Sequence, residues 1–246
     1  MALPGIGFGL ARIGGALPPD ELTVLSSNAT KAVLDELAPS FEKSADVRLV
    51  LRFAPSAELK ARIQEGEAFD VAFLASPLVD ELVAAGKVDS SARSRIARVG
   101  VGVAILKGAR RPDLSSPDAF RRALLEARTI AYVGQGVTAD ILRNVIERFG
   151  IEGEMGPKTK VLSGVTAAEA VASGEAELGF TQVSEILPHP EVELAGTLPA
   201  EVQVYTTFEA ILSPSSRRPD AARRLIDFLT APAAAPVLRA KGMEPG

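Results

Sequence analysis

The residues of this chain that could do chemistry lie in short polar turns, each preceded by an apolar run and followed by a helical pattern. Ser26-Ser27-Asn28 follows Leu22-Thr23-Val24-Leu25, and Ala54-Pro55-Ser56 follows the run 47–53. Gly134-Gln135-Gly136-Val137-Thr138 follows Thr129-Ile130-Ala131-Tyr132, and Ser163-Gly164-Val165-Thr166 follows Val161-Leu162. A helix's first turn leaves its N–H groups without intrahelical partners and carries about half a positive charge. Two or more such termini converging on a cleft hold an oxyanion without any lysine or arginine. The backbone donors in that arrangement are those of Ser27, Ser56, Gly136 or Val137, and Val165. A hydroxyl adds one directed donor, which suits a buried anion. Taken singly, a Ser or Thr at such a place reads first as a helix cap. The anion reading draws on the recurrence of these turns along the chain.

Composition removes most other chemistries. Cysteine is absent, which excludes disulfides, thiolate catalysis and cysteine-ligated metals. The single histidine, His189, stands between Pro188 and Pro190, a turn context far from the packed His of a hydrolase or the His sets of zinc enzymes. Tryptophan is absent and only 2 tyrosines are present, so an aromatic cage or base-stacking platform is not expected. Net charge is -4, the wrong sign for a nucleic-acid partner, and Arg110-Arg111 and Arg217-Arg218 are too short to alter that. No run approaches the roughly 20 apolar residues of a membrane span, and no cofactor or metal is expected.

Strands and helices must alternate to position these turns, which predicts an α/β fold with a largely parallel sheet. Helices are expected over about 29–42, 57–65, 77–85, 139–149, 219–229 and 233–240, with another opening at Pro117 behind Ser116. Strands are expected at 69–74 and 178–182 in addition to those before the turns. Two longer apolar runs, 96–106 and 202–212, read as strands that cross between two lobes, with Val204 and Phe208 on a buried face. Lobe one then holds 21–98 and 208–246, and lobe two holds 102–205. A paired crossing makes a hinge, and the cleft beside it is the expected ligand site. Met1–Asp20 is apolar and rich in Gly and Pro, with Gly5, Gly7 and Gly9 breaking the run and no basic residue before it. It departs from a secretory signal, and three readings stand: a remnant of an edited leader, a misassigned start, or a disordered cytosolic extension, which leaves the location open between periplasm and cytoplasm.

The order of these segments resembles the type II periplasmic solute-binding proteins of ABC importers, in their molybdate-binding branch, over almost all of Glu21–Pro245. Thr23 to Thr30 sits where that family has a strand and a Ser-bearing turn, and Phe53-Ala54-Pro55-Ser56-Ala57-Glu58-Leu59 matches its second such turn. Ile63-Gln64-Glu65-Gly66 followed by Phe69-Asp70-Val71 is the most diagnostic stretch, and Pro219 to Leu229 with Gly242-Met243-Glu244-Pro245 matches the closing segments. The resemblance implies a two-lobed fold with doubly wound lobes and a two-segment hinge, a small anionic ligand, an ABC permease as partner, and a monomer working in the periplasm. It also implies side-chain ligands at Ser27 and Ser56, within a binding set of Ser26, Ser27, Asn28, Ser56, Gly136, Val137, Thr138, Val165, Thr166 and Gln182.

Gln182 departs from the family, which often has a Tyr hydroxyl there. An amide both donates and accepts, as does Asn28. A bare tetrahedral dianion needs donors only, so these amides favour an organic carboxylate that carries its own hydroxyl or acid proton. The family also resembles an aconitate isomerase, which leaves an enzyme as the alternative: allylic proton transfer on a di- or tricarboxylate. That chemistry needs a general base, for which Glu58, Asp140 and Glu185 are candidates, each otherwise an ordinary acid near a helix start.

Overall fold

The computed structural model describes residues 20–246, so the expectations for the N-terminal leader fall, Asp20 aside, outside the described residues. The chain opens with β1 (Asp20–Ser27), a 3-10 turn (Asn28–Thr30), α1 (Lys31–Ala45), β2 (Val47–Ala54), α2 (Ser56–Gln64), β3 (Val71–Ala75) and α3 (Ser76–Ala84). The long β4 (Arg93–Leu106) leads to α4 (Pro117–Glu126), β5 (Ile130–Val133), α5 (Val137–Arg148), α6 (Glu152–Met155), β6 (Thr159–Leu162), α7 (Ala167–Ala172), β7 (Leu178–Gln182) and α8 (Val183–Ile186). β8 (Val192–Thr197), β9 (Tyr205–Leu212), α9 (Pro219–Thr230), α10 (Ala235–Ala240) and β10 (Glu244–Pro245) complete it.

The strands lie in the order β2-β1-β3-β9-β4-β7-β5-β6, with β8 and β10 also on β4. Two pairing systems meet inside β4. Arg93 to Gly100 pairs antiparallel with β9, beside the parallel set β2-β1-β3. Val101 to Ala104 pairs antiparallel with β7, beside the parallel set β5-β6. Each sheet is covered on both faces, as parallel strands require. Over the first sheet, α1, α9 and α10 close one core around Phe41, Phe73 and Phe208, and α2 and α3 close a second around Leu59, Leu74 and Leu82. Over the second sheet, α4, α5 and α6 pack around Phe120 and Phe180, and α7 and α8, the latter through Ile186, pack on Ala104 and Ala131. Helix α9 shows why such segments fold this way: Ala221, Ala222, Leu225, Ile226 and Leu229 are buried at helical spacing while Asp220, Arg223 and Arg224 face water.

Four sequence expectations change. The sheet is mixed rather than largely parallel, because the crossing strands β4 and β9 pair antiparallel with each other and with β3, β7, β8 and β10. The run from 202 is not all strand: β9 begins at Tyr205, and Val204 is 51% exposed rather than buried, because it lies in the connection before pairing starts. Helices α6 and α8 and strands β8 and β10 were not expected; all are short, between 2 and 6 residues, and too brief to show a period. The first helix begins at Lys31, because Asn28–Thr30 forms a tighter 3-10 turn ahead of it.

Candidate functional site

Register places the polar turns relative to one another. β1, β2 and β3 run parallel, and Ser27 lies opposite Ala54 at their carboxyl ends. Because β9 is antiparallel to both β3 and β4, β4 runs with them and leaves the first sheet at that same end, at Gly100. β7 comes back antiparallel to β4, finishing with Gln182 opposite Val101, and β5 and β6 run parallel to β7. The carboxyl ends of β1, β2 and β3 therefore face those of β5, β6 and β7 across the point where β4 changes sheets. Ligands of open α/β sheets bind at such ends. The 3-10 turn 28–30 also packs against α8, which starts directly after Gln182.

At the first-sheet edge, the expected residues divide into committed and free groups. Ser26 is fully buried, and its hydroxyl is 2.5 Å from that of Thr30, whose Oγ1 also donates to the Ser27 carbonyl at 2.9 Å. This hydroxyl pair braces the turn from behind. Ser27 caps the 3-10 turn, accepting from the Ala29 N–H at 3.4 Å, which leaves its own proton free to donate. Asn28 is exposed. Ser56 is the first residue of α2; Pro55 occupies the N-cap without a side-chain bond, and the half-buried Ser56 hydroxyl makes no hydrogen bond among the described residues.

At the second-sheet edge, Gly136 is the N-cap of α5 with φ +96°, a left-handed conformation that suits glycine, and it makes no capping bond. The donors of Val137 and Thr138 thus head a 12-residue helix without a side-chain cap. Val165 is 45% exposed. Thr166 is committed: its N–H donates to the Glu169 carboxylate at 2.7 Å, and its Oγ1 accepts from the Glu169 N–H at 3.1 Å, a complete capping box for α7. Those bonds from Thr166 hold Glu169 below the usual carboxylate range. Gln182 is buried at the end of β7, where it heads α8. Residues 26–30, 54–57, 134–138, 163–166 and 181–184 contain no charged side chain.

The three candidate bases separate clearly. Glu58 is exposed beside Arg62, and Asp140 is exposed beside Arg143 at 2.6 Å. Glu185 keeps some exposed surface, yet its carboxyl is desolvated. Burial raises its pKa, against bonds from the Thr181 hydroxyl and the Gln182 N–H that favour the charged form. Two groups escaped the sequence reading. Ser184, directly after Val183, is buried, and its hydroxyl has no partner among the described residues. Ser76 heads α3 at the first-sheet edge, but its hydroxyl donates to the buried Glu209 at 2.8 Å, which also binds Arg93 at 2.5 Å. Burial pushes the Glu209 carboxyl up, and the Arg93 and Ser76 bonds outweigh it and hold it low, so Ser76 belongs to a structural ion network. No group of residues suited to hold a metal occurs among the described residues.

Known proteins share this architecture. The molybdate-binding protein of Azotobacter vinelandii, whose structure is solved, superposes with a TM-score of 0.76 at 20% identity, covering 92% of this chain and 99% of that one. The sulfate-binding protein of Mycobacterium tuberculosis superposes with a TM-score of 0.72 at 16% identity, covering 92% and 87%. Both likenesses establish the type II periplasmic-binding-protein fold. By sequence, an aconitate isomerase from a Pseudomonas species is 31% identical over 94% of this chain and 90% of its own length. The family model for bacterial extracellular solute-binding proteins matches residues 22–244, and the chain belongs to that family.

Proposed function

We propose that this protein captures a small anion between the facing strand ends and delivers it to an ABC permease, working in the periplasm. Residues 21–98 with 208–246 form one lobe, residues 102–205 form the other, and the lobes close on the ligand. The observation that carries this reading is the pair of helices α2 and α5, whose N-termini lack side-chain caps and open from opposite edges into turns free of charged side chains. Unpartnered N–H groups with the helix dipole behind them favour negative charge without the desolvation cost of a buried cation. The ligand set is Ser27, Ser56, Val137, Thr138, Val165 and Gln182, with Asn28 at the rim; Ser26 and Thr166 hold the turns in shape. The Azotobacter molybdate-binding protein, 24% identical over 96% of this chain, supports the oxyanion class. A thermal-shift series with molybdate, tungstate, sulfate, phosphate, citrate and aconitate tests it. A ligand at ~100 times its Kd adds about 2.7 kcal/mol of stability, and no response to any of the six would defeat the proposal.

Gln182 distinguishes an oxyanion from an organic acid. Against a bare dianion only its NH₂ helps, and Gln182→Tyr preserves or improves binding. Against a carboxylate carrying a hydroxyl or acid proton, both ends of the amide engage. Tyr then leaves the ligand's donor unpaired, at a cost of roughly 1–3 kcal/mol. Affinities for molybdate and citrate in both variants decide between them.

A second reading, isomerisation of a tricarboxylate, is favoured by Glu185 and by the Pseudomonas relative. A carboxyl held toward its neutral form beside Gln182 suits proton transfer better than the solvated Glu58 or Asp140. Incubation with cis- and trans-aconitate, followed by chromatography, tests it; turnover that survives Glu185→Gln would remove that residue from the role.

A further inference from the structure

We infer that Gly242 is a positioning residue for the anion site: it seats helix α8 against the first sheet's core and so fixes where Gln182, at the head of that helix, meets the ligand. The inference rests on the reading of Gln182 as a ligand residue given above. Gln182 and α8 follow a strand of the second sheet, yet the first sheet's side holds them. Val183, the first residue of α8, is buried in the core of the first sheet with Leu238 and Met243. The 3-10 turn 28–30 packs on the same helix. Gly242 supplies the closest approach. A Cβ there would lie 2.5 Å from Cγ1 of Val183, 3.0 Å from Cδ1 of Leu187 and 3.3 Å from the Ser184 nitrogen. Carbon atoms in contact stand about 3.5–4.0 Å apart, so only a residue without a side chain lets α8 lie where it does.

Gly242 also has an ordinary duty, and a second glycine performs that duty alone. Gly242 ends α10 with φ +77°: its N–H donates to the Arg239 carbonyl at 3.0 Å, and the Met243 N–H donates to the Leu238 carbonyl at 2.9 Å. Gly86 ends α3 with φ +67° and the matching bonds, Gly86 N–H to the Val83 carbonyl and Lys87 N–H to the Leu82 carbonyl, each at 2.9 Å. Both are left-handed helix ends that favour glycine. A Cβ on Gly86 would meet nothing within 4 Å, so the crowding at Gly242 comes from α8 and not from the helix end. The seat is tied down on both sides: α10 precedes Gly242, and β10 after it pairs with β4 at Arg98 and Ala97. From the second sheet, Glu185 holds α8 to β7 by accepting from the Thr181 hydroxyl and the Gln182 N–H. The backbone of Gln182 is fixed between these two grips, and its amide caps nothing. A side chain at position 242 would push α8 away and carry that amide with it.

Titration calorimetry with molybdate and with citrate (or, if the parent binds neither, with the anion of the thermal-shift series that it does bind) tests the seat, beside melting curves. Gly242→Ala and Gly86→Ala place the same methyl at the same kind of helix end, and both should melt earlier than the parent. Only Gly242→Ala should bind more weakly, by about tenfold, the worth of one hydrogen bond to a charged ligand. Val183→Ile presses on the seat from the α8 side with both glycines kept. It should weaken binding in the same direction, and it decides the matter if Gly242→Ala does not fold. In a Gln182→Ala background, the Gly242→Ala or Val183→Ile change should cost no more than about twofold, because the contact it displaces is already gone. Parent-like affinity in Gly242→Ala or, should that variant not fold, in Val183→Ile would make Gly242 a helix end only and overturn the inference. An equal loss in Gly86→Ala would overturn it as well, and so would an undiminished loss in the Gln182→Ala background, since the effect would then reach the ligand by another route. If the parent binds no anion of the series, the capture reading fails and the seat with it. If the parent binds and every variant at 242 and 183 matches it, the seat alone fails.

Discussion

Helices α5 and α7 open from adjacent, parallel strands at the same edge of the second sheet, and both follow polar turns of similar composition. Their first turns nevertheless differ in the donors they leave free. At α7, Thr166 and Glu169 exchange hydrogen bonds and consume each other's donors. At α5, Gly136 supplies no side chain, and the donors behind it stay available. The first sheet repeats the contrast, with Ser26 bound to Thr30 and Ser56 unbound. A helix terminus that its own side chains have satisfied is a structural cap, and one left bare keeps its donors for water or a ligand.

The largest effect that could break this comparison lies at Gly136. Gly136→Val forces a β-branched residue into φ +96° and should cost about 1–3 kcal/mol of stability. Chemical denaturation measures that loss, and titration calorimetry should show anion binding lost with it; an unchanged midpoint would mean the turn relaxes and was never constrained. Next comes Ser56→Ala, which should weaken anion binding by about 1.5–3 kcal/mol while stability stays within about 0.5 kcal/mol, since the hydroxyl caps nothing. Calorimetry beside a melting curve checks both; a lower melting temperature with intact affinity would assign Ser56 to structure.

Thr166→Ala should do the reverse, lowering stability by about 1 kcal/mol with affinity unchanged. Loss of binding there would erase the distinction between the two helices. The smallest effect is in the pH dependence. Glu169, whose folded pKa is depressed, contributes stability that is present above its unfolded value, about 4.3, and lost as pH falls through the folded one. Glu185, whose folded pKa is raised, contributes stability that is present below its unfolded value and lost as pH rises through the folded one. Denaturation midpoints from acid to neutral pH should therefore respond with opposite slopes to Glu169→Gln and Glu185→Gln, and slopes of the same sign would refute the assignment.

Most of the fold was legible along the chain, because hydrophobic periodicity is a local property: α5 and α9 each bury residues at helical spacing, and the strand–turn–helix repeat from Leu22 to Ala84 needed no partner to be read. So were the polar turns, whose Ser, Thr and Gly residues mark helix starts by their own chemistry. Which turns keep their donors is partly local as well, since Thr166 and Glu169 stand three residues apart and Gly136 has no side chain to cap with; the tertiary structure decided how the turns sit in the core and at the edge. Ser26 and Ser27 are neighbours of one type, yet the first faces Thr30 from within the core and the second caps a turn at the edge, a difference set by strand alternation and packing. Gln203 carries no local signal at all. Its amide reaches Val101, 102 positions away in the chain, because both crossing segments are drawn to one point between the sheets. Sequence by itself determined where helices could receive an anion; long-range pairing determined which of them face each other, because register joins residues that no local pattern relates.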